Sequence, residues 1–169
     1  SNPTNGTFGA ASTPGLAGPR PADGFLGMSS SNNAPGLIDG NTASEVNMGV
    51  YTPVTGTSPR TVLAWINNNT LTGVDTIVNF GSGVSPGNRF RLQTSGNQLG
   101  IDIQGTGGLV IPSNPSTNLS TNTWHMVGVV VPPGATDVGD LTFYVDGIAA
   151  SISSSAVFST VAGADFILG

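Results

Sequence analysis

Hydrophobic and polar positions in most of this chain alternate with a period of two. From Leu37 onward, short runs rich in β-branched and aromatic residues are separated by Gly, Pro, Asn, Asp and Ser. The runs cover residues 36–40, 44–51, 60–66, 75–80, 88–94, 98–104, 108–112, 124–131, 141–147, 148–153 and 166–169. A spacing of about 8–12 residues between such runs is that of an antiparallel sandwich or barrel. No window of ten residues carries a helical apolar stripe with caps. The segment 117–124 has capping residues but too few apolar ones for more than a single turn. The absence of any repeat of about 20–50 residues argues against a solenoid or propeller.

Local signals place several elements. Asp146-Gly147 lies between two alternating runs, and Asp-Gly readily takes the positive φ angles of a type I′ turn, so a hairpin is expected there. Residues 132–140 contain two prolines that cannot continue a central strand, so 124–131, 141–146 and the run after Gly147 read as a meander. In residues 88–94, Arg89 and Arg91 alternate with Phe90 and Leu92, which puts both arginines on one face, turned to solvent or to a ligand. Residues 1–36 follow neither period and read as an irregular, extended lead-in to one domain at 37–169.

Composition narrows the chemistry. The length of 169 residues suits one domain. Charged residues are 8% of the chain, against about 25% in ordinary soluble domains, so solubility rests on Ser, Thr, Asn and the backbone. The four cations are Arg20, Arg60, Arg89 and Arg91; there is no Lys, and the net charge is −5. No stripe exists to neutralise a row of phosphates, so nucleic acid and anionic membrane surfaces are poor partners, and no nucleic acid is expected to bind. No apolar run approaches the roughly 18 residues of a membrane-inserted span, and no signal segment opens the sequence. Without Cys, disulfides and thiolate metal sites are ruled out. A single histidine, His125, excludes paired-histidine zinc motifs, and the lack of Lys excludes Schiff-base chemistry and the Walker A phosphate loop.

Four elements in order resemble the laminin-G-like, concanavalin-A-like jelly rolls. Ile38-Asp39-Gly40 followed by Val46 is similar to an early strand of that family, and Arg60 to Ile66, reading RTVLAWI, to its aromatic strand. Trp124-His125-Met126-Val127 resembles its W-H-x-V strand, and Tyr144-Val145-Asp146-Gly147 its Y-V-D-G hairpin. The resemblance implies an all-β, two-sheet sandwich. The first and last strands usual in the family are not recognisable, which implies an open edge beside residues 160–169, to be covered by a neighbouring chain or by further residues of the same protein. Residues 1–36 are the available donor within the chain.

Glycoside hydrolases among such sandwiches carry alternating carboxylates on one strand. The nearest string here, residues 100–104, has only Asp102, whereas hydrolysis needs an acid and a nucleophile about 5 Å apart. His125 reads as a strand residue and Asp146 as a turn residue. The turn aspartates Asp39, Asp75, Asp137 and Asp140 read either as turn formers or, as the resemblance implies for many members, as ligands of a structural calcium ion, which takes about six to eight oxygens. Asn5, Asn68 and Asn118 head N-x-S/T triplets and are candidate glycosylation sites. Among the aromatics, Trp65 and Trp124 are expected in the core. Tyr51, with Arg89 and Arg91, is the candidate ligand contact.

The resulting expectation is a non-catalytic extracellular or cell-surface module that binds a glycan or protein on a surface. The alternative is a structural subunit that assembles with copies of itself by strand exchange, as in a filament, surface layer or virion appendage.

Overall fold

The computed structural model describes residues 6–38, 42–104 and 108–169. Among these, thirteen strands occur: β1 (Thr7–Phe8), β2 (Thr13–Ala17), β3 (Asn33–Gly36), β4 (Val46–Val50), β5 (Arg60–Ile66), β6 (Val74–Gly81), β7 (Arg89–Ser95), β8 (Gln98–Asp102), β9 (Leu109–Val110), β10 (His125–Val131), β11 (Thr142–Val145), β12 (Ile148–Ala150) and β13 (Asp165–Leu168). A wide sheet has the order β1-β4-β13-β6-β7-β8-β9 and a narrow one the order β12-β11-β10-β5; β2 and β3 form a separate ribbon. All pairings are antiparallel. The all-β sandwich expected from the alternation is present, with its meander as β10-β11-β12. Asp146 and Gly147 take φ angles of 51° and 83°, the pattern a type I′ hairpin turn requires.

The sheets meet through the apolar half of each alternation. Val78, Phe80, Phe90, Leu92, Leu99 and Ile101 of the wide sheet face Val127, Val129, Val131, Phe143 and Val145 of the narrow one, all buried. The rings of Phe80 and Phe90 stack with centroids 5.2 Å apart, and Phe166 continues the stack on Phe80 at 5.7 Å. With β11 packed against β8, the narrow-sheet order carries β5 over β6. The strands β13, β4 and β1 therefore extend past the edge of the narrow sheet.

Arg60 begins β5 as a buried cation whose hydrogen bonds bind two loops together. Its Nε donates to the Ser58 carbonyl at 3.0 Å, Nη2 to the Gly56 carbonyl at 2.6 Å, and Nη1 to Thr160 Oγ1 at 2.9 Å. The guanidinium also lies 5.1 Å from the centre of the Phe90 ring. Burial pushes its pKa below the usual arginine value.

Three expectations are corrected. The open edge does not lie beside residues 160–169, because β13 sits inside the wide sheet between β4 and β6; among the described residues the sandwich ends on β1 and β9 in the wide sheet and on β12 and β5 in the narrow one, and of these β5 is the longest. Residues 6–36 are not all irregular: β1 extends the wide sheet next to β4, and β2 and β3 pair with each other. Neither Trp65 nor Trp124, both half-buried, is in the core. Val62, Ala64 and Ile66 take the inward positions of β5, so strand parity turns Trp65 outward, where Phe25 meets it edge-on at 4.7 Å.

Candidate functional site

The outer face of the wide sheet carries a polar cluster built by register alone. In the β7–β8 hairpin Ser95 lies opposite Gln98, and counting back sets Arg91 opposite Asp102 and Gln93 opposite Gly100. On the other side, β6 places Asn79 opposite Arg91. Phe90 and Leu92 point into the core, so Arg89, Arg91 and Gln93 point outward together.

Asp102 organises the two arginines. Its Oδ2 accepts from Nη2 of Arg89 and, at 2.5 Å, from Nη2 of Arg91, while Oδ1 accepts from the Gln104 amide at 2.6 Å. The carboxylate side chain is 8% exposed, the two arginines 23% and 25%. Burial lowers the Arg91 pKa; the Asp102 charge opposes that shift and the Arg89 charge adds to it. Two cations against one anion give this face a local charge of about +1 on a chain of net charge −5.

The cluster also holds unused hydrogen-bonding capacity. Asn79 Oδ1, Arg89 Nε, Arg91 Nε and Gln93 Oε1 are buried and have no partner among the described residues. Leaving such a group unsatisfied costs about 1–3 kcal/mol, so the concentration of four on adjacent strands is a local strain on the stability of this face. Gly108 closes over the 2%-exposed Gln93, and a Cβ there would stand 2.7 Å from Gln93 Nε2.

The other sequence candidates are dispersed. Tyr51 is on the far side of the wide sheet from the arginines, half exposed, with its ring 6.3 Å from that of Phe166. Asp75 accepts from Asn68 Nδ2 at 2.9 Å and Thr94 Oγ1 at 3.3 Å. Asp137 and Asp140 cap the single 3-10 turn Val138–Asp140: Asp137 accepts from the Gly139 amide, and Asp140 from the amides of Thr136 and Asp137. Among the described residues, no three His, Asp or Glu side chains come together as a metal-binding group. Asn118 accepts from Ser113 Oγ and the Asn114 amide. Asp39 and Asn5 lie outside the described residues.

A second cluster was invisible in the sequence because its members lie on three segments. His125 Nδ1 is 2.7 Å from Asp146 Oδ2, and Nε2 is 2.9 Å from Ser120 Oγ and 3.0 Å from the Ser120 amide nitrogen. This has the outline of a Ser-His-Asp triad. The Asp146 carboxylate accepts the Nδ1 proton, which leaves Nε2 with one lone pair. The Ser120 amide donates to that lone pair, competing with transfer of the hydroxyl proton. Asp146 also accepts from the Met126 amide at 2.9 Å and donates its own to the Met126 carbonyl at 2.8 Å. The cluster is a clamp that fixes the start of β10 to the β11–β12 turn and to the loop before it.

Jelly-roll topology, the Trp124-His125 pair at the start of β10 and the Asp146-Gly147 hairpin together define the class. The family model of the concanavalin A-like lectin/glucanases superfamily matches residues 25–169, and the chain belongs to that superfamily. No curated protein matches the chain. Among the described residues no helix is long and apolar enough to cross a membrane.

Two predictions concern His125 with its Ser120 partner and, separately, Asp140. His125→Ala, which leaves the Asp146 carboxylate and the Ser120 amide without their partner, should cost about 1–3 kcal/mol in urea unfolding. Ser120→Ala keeps the amide bond and should cost less than about 1 kcal/mol; equal losses would contradict a backbone clamp. For Asp140, hydrogen bonds from the amides of Thr136 and Asp137 hold the carboxyl below its ordinary pKa. A lowered folded-state pKa stabilises the protein above the ordinary aspartate value of about 3.9, and the gain is lost as pH falls through the folded value. The stability gap between the protein and Asp140→Asn should therefore be wider at pH 6 than in strong acid. A gap independent of pH would contradict this.

Proposed function

We propose that this chain is a non-catalytic, extracellular or cell-surface module that holds a surface glycan on the outer face of its wide sheet. The observation that carries the reading is the cluster of Arg89, Arg91, Asn79 and Gln93 around Asp102. A sugar hydroxyl is donor and acceptor at once. It needs both kinds of group within reach, and this face offers guanidinium donors beside carboxamide and carboxylate acceptors. Neither Tyr51 nor Trp65 shares that face, so the recognition rests on hydrogen bonds rather than on ring stacking.

Chemistry supports a binding role over a hydrolytic one. Strand β8 supplies one carboxylate, and that carboxylate is engaged by both arginines. A glycosidase needs a second carboxylate beside the first, and β8 carries no other. A second reading, a subunit that assembles by strand exchange, is favoured by the unpaired edge of β5.

The test is a glycan array followed by calorimetry on the glycans retained. Arg91→Ala leaves Arg89 to neutralise Asp102, so the sandwich should hold, as checked by circular dichroism. Affinity should fall about tenfold or more, which corresponds to about 1.4 kcal/mol. Affinities unchanged in both Arg89→Ala and Arg91→Ala would remove the outer face from the binding site.

A further inference from the structure

Register sets the order of side chains across the outer face of the wide sheet. Asp102, Arg91, Asn79, Ile167 and Asn47 lie opposite one another in turn, on β8, β7, β6, β13 and β4. From Arg91 to Asn47 this row crosses three strand spacings, about 14 Å. Ile167 belongs to it because its neighbours Phe166 and Leu168 turn to the other face. At the Arg91 end, Asp102 holds each guanidinium by Nη2 alone. Among the described residues, Nη1 of Arg89, Nη1 of Arg91 and Nδ2 of Asn79 make no hydrogen bond, and they stay within reach of solvent. Both oxygens of Asp102 are engaged, and Asn79 Oδ1 and Gln93 Oε1 are buried. The hydrogen-bonding atoms that this cluster presents to solvent are therefore donors.

Resting on the reading of this face as a glycan site, we propose that the sugar unit held at the arginine end carries a carboxylate and that the units beside it are uncharged. An ionised carboxylate only accepts, and a planar guanidinium matches its two oxygens. A hydroxyl can accept there as well, but its own proton finds no open acceptor in the cluster. Two cations against the single charge of Asp102 leave about one positive charge for a ligand to neutralise.

The same row limits the ligand to one acid group. At its far end Asn47 Nδ2 donates to Asp165 Oδ2 at 2.7 Å, so an anion stands there. A second carboxylate lying over β13 or β4 would meet Asp165 rather than a cation, on a chain whose net charge is −5. A densely charged polymer is repelled over most of its length. What the row offers to neighbouring units is uncharged: the carboxamides of Asn79 and Asn47, with the half-buried Ile167 between them as an apolar step for the C–H face of a sugar ring.

The probes are neutral oligosaccharides ending in glucuronic, galacturonic or sialic acid. Each is titrated by calorimetry beside its counterpart with the carboxyl reduced to an alcohol, and beside a polymer with an acid in every unit. At least one terminal acid should bind tenfold or more tighter than its alcohol, and the polymer should bind no tighter per acid than that single acid. Arg89→Ala and Arg91→Ala should each abolish most of the preference for acid over alcohol. Asp165→Asn should strengthen binding of the polymer and leave the single acid unchanged. If an arginine variant does not fold, the side-chain nitrogen resonances of Arg89 and Arg91 in the unaltered protein decide: they should shift with the acid and not with the alcohol. Equal affinity for acid and alcohol, lowered together by Arg91→Ala, would overturn the acid preference and leave a glycan site on this face. No binding of any probe, or binding that neither arginine substitution alters, would overturn both readings. An acidic peptide that binds as tightly as the sugar acid would mean that the face reads charge alone, and would overturn the proposal too.

Discussion

Four strands cannot cover seven. With neighbouring strands about 4.8 Å apart, the described strands of the wide sheet exceed those of the narrow one by roughly 14 Å, and the apolar groove beside β5 follows from that excess. Where β10 and β11 lie over β7 and β8, the apolar side chains of both inner faces are buried. Beyond β5, the inner face of the wide sheet continues through β13 and β4, and among the described residues the loop residues Tyr51, Pro53 and Val54 lie near it. The apolar groove is the uncovered part of a core, and the free edge of β5 is its rim.

The opposite face of the same sheet obeys the complementary half of the alternation. Because Phe90 and Leu92 must point inward, Arg89, Arg91 and Gln93 must point outward. Antiparallel register then brings Asp102 and Asn79 to their sides. Half of the chain's cations are gathered there, and a third, Arg60, is withdrawn into the structure to tie residues 54–58 to Thr160. In a chain so poor in charge, this placement leaves the outer face of β7 as a distinct cationic spot.

Much of this was legible in the residues. Period-two runs marked the strands, and Asp146-Gly147 marked its hairpin. The shared face of Arg89 and Arg91 followed from alternation. Asp102 could have been joined to them, since a two-residue turn at Gly96-Asn97 sets Ser95 opposite Gln98 and hence Arg91 opposite Asp102. Sheet order was not legible, because long-range pairing is decided by packing of whole strands rather than by local pattern. For that reason the open edge was sought at residues 160–169, whereas β13 lies inside the wide sheet. The Ser120–His125–Asp146 clamp escaped for the same reason. Trp65 was misplaced because membership of a core strand does not fix which face a residue takes; its inward neighbours Val62, Ala64 and Ile66 decided that.

Residue-resolved amide hydrogen exchange on the isolated protein tests the unequal sheet widths most directly. Amides of β7 and β10, flanked by strands on both sides, should exchange only through large-scale opening. Every second amide of β5 should exchange far faster than its neighbours, because it faces the free edge. Uniformly slow exchange along β5, matching that of β10, would mean that the edge is covered within the chain and would contradict the account.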